Sequence, residues 1–214
     1  MTWRDLRGSA SLWLAAVSVA VMFVTWLVPD LHARWALAGG FVPLRVDIHV
    51  EAPVALLPVS LTPLTSSFLH ADFTHLLFNM LILLWCGRFV EEAVGKLRLV
   101  ILYILGAYAA AAAHYLWDPV SIVPVIGASG AISAIFGAFA LIYGRPKRFT
   151  ASPQANRAIH AVSLLVFWVL VQWMVSLLDE SVGYSIATVA HVGGFAAGLA
   201  LLPLLRRRPR KDVA

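Results

Sequence analysis

Residues 127–143 read Gly127-Ala128-Ser129-Gly130 followed by AISAIFGAFALIY, a small-residue, largely apolar run with a serine near its start. Just upstream, residues 118–126 carry Pro119 and Pro124, which disfavour helix there. The spacing predicts a helix that starts near Gly127, with Ser129 in its first turn. A serine in that place serves as a cap or a small packing residue. It also sits beside backbone N–H groups that lack helical partners and can stabilise an oxyanion. As a nucleophile it would need a base, so the rest of the chain is read for one.

The 214 residues are 61% hydrophobic and 13% charged, with mean hydropathy +0.84. A soluble domain is about one-quarter charged, so this composition describes a membrane-embedded chain. No composition break divides it. The expectation is a single membrane domain over residues 1–214, with a core of about 10–205 and a basic tail at 206–214. Cys86 is the one cysteine, which excludes an internal disulfide and a cysteine-based zinc site. It reads as a packing residue. The net charge of +5 comes from cations clustered at the ends of apolar segments. That is the pattern of membrane topology rather than of nucleic-acid binding, since no basic stripe with interleaved aromatics exists.

Six apolar segments follow in order. Residues 9–29 are long enough to span and lack a small-residue cleavage pattern at their end, so they read as a first transmembrane helix. Residues 30–67 are broken by Pro43, Pro53, Pro58 and Pro63 and fit an interfacial loop with short helices. Further helices are expected at about 73–90, 99–117, 127–143, 158–178 and 184–205. Glu91 and Glu92 fall in the charged turn 91–98 and read as salt-bridging loop residues beside Arg88, Lys96 and Arg98. Fourteen of the sixteen Lys and Arg lie on one side of this layout, and only Arg34 and Arg45 on the other. The positive-inside rule then places both termini in the cytoplasm.

Polar residues within such segments are candidates for function. His75 and Asn79 on the second helix, Ser129 at the start of the fourth and His191 on the sixth share one depth below the outer surface. His191 is the candidate base. His191, Gly194 and Gly198 share a helix face, as do Ser129, Ser133 and Gly137. Two such small-residue faces can approach closely, which would bring serine and histidine together. The same pattern also serves generic packing, with His191 as a polar bridge. His75 and Asn79, at i and i+4, can donate hydrogen bonds as an oxyanion hole or as an interhelical clasp. His70 is expected at the loop–helix junction, and His114 as an interfacial or clasp-forming residue. No Asp or Glu falls at this depth, so the arrangement reads as a dyad.

These residues together resemble the rhomboid family of intramembrane serine proteases. The resemblance runs from about Pro63 to Gly198. It rests on His70 with His75-Leu76-Leu77-Phe78-Asn79, on Gly87 to Gly95 with Glu91, on Gly127-Ala128-Ser129-Gly130, and on His191 with Gly194 and Gly198. It implies an all-α, six-transmembrane-helix bundle with a long interfacial first loop, the minimal form found in the bacterial inner membrane. It implies Ser129 as nucleophile and His191 as general base. His75, Asn79 and the Ser129 backbone N–H would stabilise the oxyanion. Gly127, Gly130, Ser133, Gly137, Gly194 and Gly198 would be motif and packing positions. Transmembrane protein substrates within the lipid bilayer would be the partners, with no cofactor, metal or nucleic acid. Two departures stand out. Leu61-Thr62 occupies the place of a Trp-Arg pair that anchors the first loop in many members. Ser133 stands where some members stack an aromatic on the base, so His191 must be held another way.

Three rival readings differ in class. One is an inactive rhomboid-like protein that binds or escorts membrane clients. Another is an intramembrane metal or haem protein using His75, His114 and His191. The third is a small transporter, which would call for two related halves with broken helices.

Overall fold

In a computed structural model, which describes residues 8–28, 30–49, 51–144, 147–177 and 188–206 (backbone alone for 172–177), the chain is a helical bundle. Helix α1 is Ala10–Leu27, α2 Leu31–Gly39, α3 Thr62–Ser66, α4 Phe73–Val94, α5 Lys96–Trp117, α6 Ser129–Tyr143, α7 Pro153–Leu177 and α8 Thr188–Leu205. The basic lead at 1–7, the expected start of the last helix near Tyr184, the turn at 179–183 and the tail from 207 lie outside the described residues. Among the described residues no strand forms, and Phe41 and Val125 make one isolated antiparallel bridge.

Helices α1, α4, α5, α7 and α8 are long and apolar enough to cross a membrane. Helix α6 is not, although the hydropathy reading counts it among six segments. Its 15 residues rise only about 22 Å, against ~30 Å of hydrocarbon. It is also the most enclosed helix, with ten of its residues buried. A helix surrounded by other helices need not reach both faces, and its N-terminus can open inside the bundle.

The packing of α6 against α8 is backbone to backbone. A Cβ added to Gly194 would run into the Gly130 carbonyl, one at Gly198 into the Ala134 carbonyl, and one at Gly137 into the Phe195 carbonyl. Every site of closest approach is therefore occupied by the one residue without a side chain. On α5, a Cβ at Gly106 would run into the Ala134 methyl group. Helix α1 packs more conventionally. Its buried residues Ser11, Ala15, Ser18, Met22 and Thr25 recur every three or four positions, the stripe of a single helix face. Trp13, Phe23 and Trp26 are exposed toward the surroundings.

Two polar arrangements depart from the sequence reading. Helix α4 continues through Glu91 to Val94, and Gly95, at φ 93°, turns the chain directly into α5. Glu91 is thus not a loop residue. It is 6% exposed, and its carboxylate accepts four hydrogen bonds from the start of α1. These come from Ser9 Oγ (2.8 Å), Ala10 N (3.0 Å), Ser11 N (3.0 Å) and Ser11 Oγ (2.8 Å). A carboxylate here satisfies the unpaired N–H groups of a helix N-terminus and complements its dipole. Arg88 does pair with Glu92, at 3.5 Å.

The first loop is anchored without the Trp-Arg pair. Three tyrosines of α5 reach it. Tyr103 donates to the Ser67 carbonyl (3.0 Å), Tyr108 to the Ser60 carbonyl (2.7 Å) and Tyr115 to the Asp47 carboxylate (2.9 Å). Thr65 Oγ1 donates to the Gly39 carbonyl at 2.6 Å, closing the loop on itself.

Glu91→Ala would leave two hydroxyls and two N–H groups of α1 without their acceptor. At about 1–3 kcal/mol for a buried unsatisfied group, the expected loss is roughly 2–4 kcal/mol of stability. Glu91→Gln, which keeps one acceptor oxygen, should lose less. Equilibrium unfolding in detergent checks both, and an unchanged Glu91→Ala midpoint would refute the role.

Candidate active site

The segment leading into α6 is held from three sides. Val125 exchanges both backbone hydrogen bonds with Phe41, at 3.0 and 2.8 Å, and Gly127 N donates to the Ser66 carbonyl at 2.9 Å. Ala128 N lies 3.5 Å from His70 Nε2. Gly127 adopts φ +122°, a region that side chains avoid. A Cβ there would come within 2.7 Å of the His75 ring. Glycine is thus required twice at this position, by backbone conformation and by the imidazole beside it. The chain then enters α6 with Ser129 as its first residue.

On α8, His191 is buried and faces the same point. Ser129 Oγ and His191 Nε2 are 2.8 Å apart. This is the distance a serine hydroxyl needs to donate its proton to a neutral imidazole. The approach of Gly194 to Gly130 sets it, since His191 lies one turn from Gly194 and Ser129 adjoins Gly130. Among the described residues His191 Nδ1 has no hydrogen-bond partner. No acid among them stands behind the ring, and Ser129 is its hydrogen-bond partner.

The other polar residues gather around this pair. Asp72 caps α4 by accepting from His75 N at 2.8 Å. The His70 and His75 rings meet edge to face, with centroids 5.2 Å apart. Asn79 is buried, and its Nδ2 donates to the His75 carbonyl at 3.0 Å. One amide proton of Asn79 is thus engaged within its own helix and one remains for another acceptor. His75 reaches the Gly127–Ser129 segment; Asn79 lies one turn further along α4. His114 is buried on α5. Among the described residues, no three of His, Cys, Asp and Glu come close enough together to hold a metal ion.

Sequence reasoning passed over one neighbour of the serine. Trp168 of α7 is almost fully buried and donates from Nε1 to Ser133 Oγ at 2.6 Å. Ser133 Oγ in turn donates to the Ser129 carbonyl at 2.7 Å. The available signal was a tryptophan in mid-helix, away from the interfacial belt where tryptophans of membrane helices concentrate.

Five long apolar spans, a short buried apolar helix and a polar centre enclosed among them define a multi-pass integral membrane protein. Residues 61–208 match the family model described as Rhomboid domain, and the chain belongs to the rhomboid family. Rhomboid proteins are in general intramembrane serine proteases. Comparison with curated proteins found no match.

His70 precedes α4 and is about 1% exposed. Burial, with a smaller contribution from neighbouring His75, lowers its pKa from 6.5 to about 3. The folded protein therefore takes up this proton less readily than the unfolded chain. The associated stability is full above pH 6.5 and is lost as the pH falls toward 3. Thermal unfolding in detergent should show wild type losing more stability than His70→Gln between pH 7.5 and 4. Parallel curves for the two would contradict this.

Proposed function

We propose that the protein is a serine endopeptidase that cleaves transmembrane segments of other membrane proteins near the outer membrane face, through a Ser129–His191 dyad. The observation that carries this reading is the 2.8 Å separation of Ser129 Oγ and His191 Nε2 within a family of intramembrane proteases. The reaction is acyl transfer. Ser129 Oγ attacks the scissile carbonyl carbon while His191 Nε2 takes its proton. The carbonyl oxygen becomes an oxyanion, stabilised by the Ser129 backbone N–H, the His75 ring and the free amide proton of Asn79. The imidazolium then protonates the leaving amine, and the carboxyl fragment stays esterified to Ser129. Water, deprotonated by His191, hydrolyses the ester and regenerates the serine.

A peptide bond inside a helix is shielded by its own hydrogen bonds, so the substrate must unwind locally. Helix-breaking or small residues near the cut favour that. Access from the lipid is assigned to the side between α4 and α7. The distribution of Lys and Arg supports cytoplasmic termini and a site that opens outward, in the inner membrane of a bacterium.

Labelling with a fluorescent serine-hydrolase phosphonate tests the dyad. Wild type should label, whereas Ser129→Ala and His191→Ala should fall to background. Loss of one member of such a unit lowers rates on the order of 10⁴-fold or more. Folded wild type that stays unlabelled, in lipid as well as in detergent, would overturn the protease reading in favour of a rhomboid protein that binds membrane clients.

A further inference from the structure

Helix α7 is the least enclosed of the spans. Over residues 153–171 only Asn156 and Trp168 are buried. Asn156 is engaged locally, accepting from Phe149 N and Thr150 N at 3.0 and 2.9 Å. Trp168 is the residue that α7 inserts into the bundle. Its ring lies against Phe136 of α6, with centroids 5.3 Å apart, and its indole N–H ends on Ser133 Oγ.

The directions of these bonds are fixed by chemistry. An indole nitrogen can only donate, and a backbone carbonyl can only accept. The Ser133 hydroxyl therefore accepts from Trp168 and donates its single proton to the Ser129 carbonyl. Both bonds are short, and both serines and the tryptophan are buried. The Ser133 side chain lies against Gly194 of α8, where an added Cβ would come within 3.1 Å of Ser133 Cβ. Three helices thus meet at this hydroxyl: α6 that carries Ser129, α8 that carries His191, and α7. With an indole donor on one side, the hydroxyl proton has one direction left, toward the peptide unit of Ser129.

We propose that Trp168 is a positioning residue, which acts through Ser133 to orient Ser129 toward His191. This rests on the reading of Ser129 as nucleophile. It supplies what the lone His191 lacks. Among the described residues no carboxylate orients the base, and the order of the pair is imposed from the serine side by a relay of two hydrogen bonds. Without the indole, the Ser133 hydroxyl can rotate away from the Ser129 carbonyl. The first turn of α6 then loses the restraint that keeps Ser129 Oγ within reach of Nε2.

The test is the saturation kinetics of phosphonate labelling in wild type, Ser133→Ala, Trp168→Phe and the double variant. The full chain is used in detergent, with melting temperatures measured in parallel. Each single variant should lower the maximal labelling rate roughly tenfold, the scale of one lost neutral hydrogen bond, with half-saturation unchanged. The double variant should be no slower than the slower single, because both changes cut one relay. A wild-type maximal rate in Ser133→Ala overturns the proposal by itself, even if Trp168→Phe does not fold. Additive losses also overturn it. So does a pair of variants that label normally yet cleave a transmembrane substrate poorly, which would assign Trp168 to substrate access instead. If wild type does not label, the hydrolase reading fails and the positioning role fails with it. Labelled wild type with unaffected variants removes the positioning role alone.

Discussion

The contact on which the structure depends is the approach of α6 to α8 with no side chains between them. Gly194 faces the Gly130 carbonyl, Gly198 the Ala134 carbonyl, and Gly137 the Phe195 carbonyl. In lipid, helix association gains little from hydrophobic burial, and close van der Waals contact takes its place. The same contact defines the polar centre. Ser129 and His191 lie one residue and one turn, respectively, from the Gly130–Gly194 approach in that seam. Their 2.8 Å separation follows from how near two bare backbones can come. A single Cβ at Gly194 would push the helices apart and the two side chains with them.

Around that seam, most polar groups in the interior find internal partners, as a medium without water requires. Glu91 closes the N-terminus of α1, and Asp72 caps α4. The tyrosines of α5 hold the first loop. That loop in turn pins the segment before Ser129, through Phe41 with Val125 and Ser66 with Gly127. The serine is thus presented at the start of a helix whose approach is tied to three separate elements. Among the described residues, buried polar atoms without a partner occur in the polar centre, at His191 Nδ1 and Asn79 Oδ1, and also in the scaffold, at Arg88 Nε, Arg98 Nη1 and His160 Nε2.

Much of this was legible in the sequence because hydropathy and small-residue spacing act locally. Apolar runs gave the spans. The i, i+3 and i+7 pattern of His191, Gly194 and Gly198 identified the face that meets α6. Glu91 was misread because a carboxylate flanked by Arg88, Lys96 and Arg98 looks like a solvated turn. Its true partners lie eighty residues upstream, and no local pattern connects them. The first-loop anchors escaped for the same reason, since a tyrosine on an apolar helix does not announce which carbonyl it will meet. Trp168 was hidden by its surroundings. In a helix whose other residues mostly face lipid, one inward tryptophan leaves no periodic trace.

The proposed chemistry asks two opposite things of one bundle. The reacting pair must be immobile, because proton transfer between Ser129 and His191 falls steeply with misplacement. On the proposed reading the wall beside it must part, because a transmembrane substrate would arrive from the lipid. The chain assigns these demands to different kinds of contact. Helices α6 and α8 are joined along their backbones, where movement would open a seam over several turns at once. Helix α7 has, within its described side chains, one buried tryptophan at the level of that seam. Breaking such a tie gives up one indole–hydroxyl hydrogen bond and the packing of one ring against Phe136, a smaller contact than the backbone seam of α6 and α8. Because the tie ends on Ser133, the hydroxyl that bonds the Ser129 carbonyl, the proposed relay would carry the state of that wall to the pair. A bundle built this way can be rigid where bonds are exchanged and yielding where a polypeptide must pass, without a separate domain to mediate between the two.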